Sequence, residues 1–164
     1  MMADLSYADM EAMAVHSTPY EYHASAITPD CKSKISKQFH IPEIVLDAYL
    51  RTEGAEAGHI RENTDGSWDV GPMQINSVNW KTFYQKFNIV PTDIRYNGCI
   101  NLMAGAYIIR YRLDEAGKEN IGGWDTFFRV AANYHSKTPS VNFRYQTKWI
   151  ENLKALLEEK SNVR

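Results

Sequence analysis

Glu53 is the residue whose type and place most favour chemistry: a carboxyl at the end of an apolar-faced helical segment, followed at once by Gly54. A carboxylic acid that stays protonated near neutral pH can protonate a leaving oxygen, and its conjugate base can then accept a proton. Two effects push Glu53 toward that state. A helix C-terminus carries partial negative charge that disfavours a carboxylate, and apolar neighbours such as Leu50 and Met73 would raise the pKa further. The position equally suits one more solvated glutamate near a helix end. Local physics makes Glu53 eligible without selecting it.

Other polar and aromatic residues cluster downstream, in the stretch WDVGPMQIN at 68–76 and around Tyr134. Gly71 would let a backbone approach a ligand with no side chain between. Gln74 and Asn76 could line a site or satisfy backbone groups in a hairpin, and Tyr134 could meet a ligand or fill the core. Trp68 and Trp80 suit ring stacking or core packing. His16, His23, His40, His59 and His135 show no HExxH-like ligand spacing, and the loop bearing Asn63, Asp65 and Asp69 around Gly66 lacks the closing glutamate of a calcium loop. No metal and no cofactor are expected.

The elements that must position these residues follow from periodicity. Residues 1–28 show no sustained period and read as a poorly ordered or draped N-terminal arm, with residues 29–164 as the domain. Thr28-Pro29-Asp30 reads as a helix cap, and a helix over 31–39 is broken by His40-Ile41-Pro42. A second helix starts at Pro42, buries Val45, Leu46, Tyr49 and Leu50, and stops at Gly54. Val70, Gly71 and Pro72 suggest a short strand or hairpin. After it come a helix capped by Ser77 with Trp80, Tyr84 and Phe87 on one side, a loop over 91–98, and helices over 99–115, 124–134 and 143–158. In the last, Trp149, Ile150, Leu153 and Leu157 face inward. The class is mainly α, a helical bundle around a cleft with one small β-hairpin element.

Composition bounds the function. The 164 residues, 44% apolar and 23% charged, suit one globular domain, and a formal net charge of −2 gives no field to gather nucleic acid. Nothing approaches the roughly 18 apolar residues of a membrane span. The N-terminus lacks the basic start and apolar core of a secretory signal, so the protein is either not exported or the mature part of a precursor. Cys31 and Cys99 form neither a CxxC pair nor a zinc pattern, which leaves buried thiols or a bond closing a long loop.

The order and spacing of several motifs resemble the soluble lytic transglycosylase domain of the goose-type-lysozyme-like superfamily, especially its small members that accompany secretion systems and conjugative pili. The resemblance runs from TEGAEAG and WDVGPMQIN through GCINLMAGAYII to VAANYHS, nearly everything after the arm. It implies a lysozyme-like fold, a catalytic role for Glu53, substrate contacts at Gly71, Met73, Gln74, Asn76 and Tyr134, and peptidoglycan glycan strands as substrate. It also implies a Cys31–Cys99 disulfide and a periplasmic or otherwise extracytoplasmic site. Components of a secretion or conjugation apparatus are expected partners, and a monomer is expected.

Three departures from the family pattern stand out: Gly54 replaces a serine, Pro72 a leucine, and Asn133-Tyr134-His135 the usual AYN. The resemblance implies cleavage of the β-1,4 bond between N-acetylmuramic acid and N-acetylglucosamine, with one glutamate as acid then base and a 1,6-anhydro product. A hydrolase would need a second carboxylate, for which Asp69 or a neighbour such as Glu56, Glu62 or Asp65 is the candidate. A non-catalytic peptidoglycan-binding module is the third reading.

Overall fold

The computed structural model describes residues 4–117 and 123–162. Among them are eight α-helices and one three-stranded antiparallel sheet, so the chain has the expected mainly helical α+β class. It divides into two compact units. One comprises the chain up to Lys32 together with Glu53–Gly105, the other Ser33–Thr52 together with the chain from Ala106 onwards.

The first unit begins with α1 (Tyr7–His16), in the segment expected to be a poorly ordered arm. Its start is a capping box: the Ser6 hydroxyl accepts from the Asp9 N–H at 3.1 Å, and the Asp9 carboxylate accepts from the Ser6 N–H at 3.2 Å. Tyr7, Met10 and Ala14 make a sparse inner face, with Ala14 fully buried. The arm thus carries one capped helix.

Next, α2 (Pro29–Phe39) is capped by Thr28, whose Oγ1 accepts from the Cys31 N–H at 3.1 Å. It ends where His40 turns left-handed at φ 54 and the Ile41 N–H reaches back to the Ser36 carbonyl at 3.0 Å. The helix α3 (Glu43–Glu53) follows, then β1 (Ile60–Glu62), β2 (Trp68–Val70) and β3 (Ile75–Asn76). The strands pair antiparallel in that order, with Ile60 opposite Val70 and Val70 opposite Ile75.

The turn joining β1 and β2 carries Asp65, whose Oδ1 accepts from the Ser67 hydroxyl at 2.6 Å and its amide at 2.9 Å. The hydroxyl first, then the amide, hold that carboxyl below the usual range. After a 3-10 turn at Ser77–Asn79 comes α4 (Trp80–Phe87), with Trp80 and Phe83 buried. Phe87, expected on the inner face, is half exposed at the last residue before Asn88 turns the chain at φ 56.

The expected loop over 91–98 contains α5 (Pro91–Tyr96), with Pro91 at its first turn, where its fixed φ suits a helix and its missing N–H costs nothing. A long helix, α6 (Gly98–Gly117), follows. Val70, Met73, Ile75, Trp80, Ile94 and Leu102 form the core of this unit.

The second unit is built from most of α2 and α3, the later part of α6, α7 (Gly123–Ala132) and α8 (Pro139–Ser161). Ile35, Leu46, Tyr49, Ile109, Val130 and Trp149 are its core. Trp149 packs its ring 5.4 Å from Tyr49 and 6.1 Å from Phe128. Leu157, expected inward, is 49% exposed in the last turns of α8. Among the described residues no helix is long and apolar enough to cross a membrane.

Candidate functional site

Glu53 closes α3, and the helix stops there because Gly54 takes the left-handed φ of 65 that a side chain would oppose. The turn before it is anchored. Thr52 is buried, donates to the Ala48 carbonyl at 2.7 Å and accepts from Asn152 Nδ2 at 3.0 Å. Glu53 itself is half-buried, a carboxyl on a fixed backbone and partly open to solvent.

Between β2 and β3 the chain makes a tight turn, with Gly71 at φ 72 and Gln74 at φ 49. Behind it lies Asn101, fully buried on the first turns of α6. Its Oδ1 accepts from the Met73 N–H at 2.7 Å, while its Nδ2 donates to the carbonyls of Val70 at 2.9 Å and Ile94 at 2.8 Å. One carboxamide thus satisfies three buried backbone groups, and their chemistry leaves it a single orientation. A Cβ on Gly71 would stand 2.2 Å from Asn101 Nδ2, so this position must be glycine to admit the asparagine.

Gly71 is buried, and its missing side chain makes room for Asn101. Met73 is fully buried against α6, where a Cβ on Gly105 would lie 2.7 Å from Met73 Cε. Both shape the turn from inside. Replacing Asn101 by alanine should strip partners from all three backbone groups and lower unfolding free energy by roughly 3 kcal/mol. Urea unfolding reads this directly, and a loss below about 0.5 kcal/mol, the range of inert surface changes, would contradict it.

Gln74 is half-buried, and its Nε2 donates to the Gly71 carbonyl at 2.9 Å and lies 3.3 Å from His59 Nδ1. With His59 in the Nε2–H tautomer both amide hydrogens are used, and the carboxamide oxygen is the atom left to accept from a ligand. Asn76 is committed inside the protein. Its Nδ2 donates to Ser67 Oγ at 3.0 Å and Asp69 Oδ1 at 2.9 Å, and its Oδ1 caps the 3-10 turn through the Val78 N–H. The hairpin-bracing role open at Asn76 is the one its side chain performs. Asp69 is also occupied on both oxygens, because Arg61 donates to Oδ2 at 2.9 Å. Trp80 is core, its indole N–H bonded to the Ile75 carbonyl at 3.1 Å, whereas Trp68 is half-buried.

Tyr134 belongs to the other unit, just beyond α7, half-buried and edge-on to Tyr49 at 5.1 Å between ring centroids. Tyr49 is buried and donates to the Ala131 carbonyl at 2.7 Å. The 129–136 segment is gathered by buried Asn142, whose Nδ2 lies within 3.0 Å of the Arg129 carbonyl, Asn133 Oδ1 and the Ser136 carbonyl. His135 stacks on Tyr145 at 4.8 Å, a packing role within that unit. Neither Asn101 nor Asn142, both buried, stands out in the sequence as a support of the site. The signal available for each was a polar residue inside an apolar helical pattern.

The implied disulfide is present: Cys31 and Cys99 are bonded at 2.05 Å, 68 residues apart in sequence. The bond ties the start of α2 to the start of α6 within the first unit.

No protein-family model matches the chain. Individual proteins do. The invasion protein IagB of Salmonella typhimurium is 32% identical over 139 residues, which cover 82% of this chain and 84% of that protein. Invasion protein IagB of Salmonella typhi is 32% identical over 130 residues, covering 79% and 78% respectively. The matched lengths take in most of both partners, and the chain belongs to the invasion protein IagB family.

Proposed function

We propose that this protein is a peptidoglycan lytic transglycosylase with Glu53 as its catalytic residue. In the proposed reaction the Glu53 carboxyl protonates the oxygen of the β-1,4 bond between N-acetylmuramic acid and N-acetylglucosamine. That bond breaks, and the substrate's N-acetyl group stabilises the cationic carbon. The Glu53 carboxylate then takes the proton of the sugar's C6 hydroxyl, whose oxygen closes a 1,6-anhydro ring. One carboxyl serves both steps and no water is consumed.

The observation that carries this reading over hydrolysis is the state of Asp69. A hydrolase needs a second carboxylate to attack or to hold water, and Asp69 is the first candidate. Asp69 has one oxygen on Arg61 and the other on Asn76. The resemblance of the Glu53 and WDVGPMQIN segments to lytic transglycosylases supports the same chemistry. Gln74 would accept a donor from the glycan through its free carboxamide oxygen, and Tyr134 would contact the sugar. The disulfide suits an oxidising, periplasmic compartment. In this reading the enzyme acts as a monomer and opens the wall locally for a secretion or conjugation apparatus, as the resemblance to the small secretion-associated transglycosylases implies.

Mass spectrometry of digested peptidoglycan tests the class. Transglycosylase fragments carry anhydro ends and are lighter by one water than hydrolysed ones. Fragments with reducing ends would replace this reading by a muramidase, and binding without any soluble fragment would replace it by a wall-binding module.

A further inference from the structure

We infer that Arg95 makes the N-terminal helix α1 a working part of the glycan-binding face, by holding the Gly58–His59 turn on which Gln74 is oriented. This rests on the reading that Gln74 meets the glycan.

Arg95 is 4% exposed, and its charge is met by carbonyl oxygens. Its Nε donates to the Gly58 carbonyl at 2.8 Å, and its Nη1 donates to the carbonyls of Ala14 at 2.7 Å and Ser17 at 2.9 Å. Its guanidinium also lies 4.6 Å over the Tyr96 ring. Ala14 lies in the last turn of α1 and Ser17 caps it, where unpaired carbonyls carry the negative end of the helix dipole. The end of α1 thus supplies the counter-charge for a buried cation, and without it that cation would stay buried and poorly paired.

The far side of Arg95 leads to the candidate site. Gly58, at φ 91, has both backbone groups on this residue, because its N–H also donates to the Arg95 carbonyl at 2.7 Å. The next residue is His59, whose carbonyl accepts from the Gly71 N–H at 3.0 Å and whose ring meets Gln74. The chain of contacts runs from α1 through Arg95, Gly58 and His59 to the turn that carries Gln74, all within one compact unit. Other contacts dock the same segment: the Ser25 N–H donates to the Tyr96 carbonyl at 2.9 Å, and Tyr22 stacks on Tyr96 at 4.9 Å. Arg95 is a positioning residue in this scheme, acting through His59 and Gln74.

Two variants of the full chain test the inference. Ala12→Pro, at an exposed position inside α1, removes a helical N–H and clashes with the preceding turn, so it loosens α1 without altering Arg95. Arg95→Gln removes the fork. Hydrogen exchange is followed over residues 4–24 and 56–62, and kcat and KM are measured on soluble glycan fragments.

Each variant should speed exchange in both stretches. Each should also raise KM about tenfold, below the ~100-fold that a misplacement of about 1 Å can cost, while kcat changes less than about twofold. The double variant should be no worse than Arg95→Gln alone. Ala12→Pro with open α1 but wild-type exchange over 56–62 and wild-type KM would overturn the inference. If Arg95→Gln does not fold, Ala12→Pro decides alone. A wild type that releases no product would overturn the enzymatic reading, and exchange over 56–62 would then decide whether α1 holds the turn.

Discussion

Glu53→Gln is expected to abolish release of glycan fragments while leaving the unfolding midpoint close to that of wild type. The swap keeps side-chain shape and removes the only proton that the proposed reaction uses in both directions. General acid or base catalysis alone contributes 10²–10⁴-fold, so a group serving as both should cost on the order of 1,000-fold or more. The last turn of α3 is held by Thr52 through Ala48 and Asn152, and the helix is stopped by Gly54. Turnover is measured beside circular dichroism and thermal unfolding. A folded variant that still cleaves within about tenfold of wild type, far less than a lost acid costs, would sink the assignment of Glu53.

Removing the Cys31–Cys99 bond should produce the largest loss of stability. The crosslink spans 68 residues, and chain-entropy arithmetic for a loop of that length gives about 4 kcal/mol. For a protein of this size that corresponds to a drop in unfolding midpoint of roughly 10 °C. Calorimetry of a Cys31→Ser, Cys99→Ser double variant, with wild type in and out of reductant, measures it. Cys31 is buried, so wild type should respond to reductant mainly through its unfolded state. An unchanged midpoint in the double variant would show that packing alone holds the start of α2 on the start of α6.

The sequence determined, by itself, what depends on neighbours along the chain. The break at residues 40–42, the stop at Gly54, the short β element and the helix ending near Gly117 are set by cap, turn and periodicity signals within a few residues. The residues bearing the resemblance to lytic transglycosylases were legible for the same reason, as was the cysteine pair, which that resemblance joined. Two short helices escaped. The Ser6–Asp9 cap of α1 and Pro91 at the start of α5 were readable signals, but ten and six residues are too few for a clear period.

Only the tertiary structure decided how the candidate site is held. It gave Gly71 and Met73 to the interior, committed Asn76 and Asp69 to each other, and left the carboxamide oxygen of Gln74 open. It also placed Asn101, Arg95 and Asn142 behind the visible residues. The partners of these three are mostly backbone groups, such as Met73 N–H for Asn101 and the carbonyls of Ala14 and Gly58 for Arg95. A backbone group looks the same at every position, so nothing in the residue letters records which buried polar side chain it meets. Chain folding brings the two together, and the requirement that buried polar groups be paired then selects the partner.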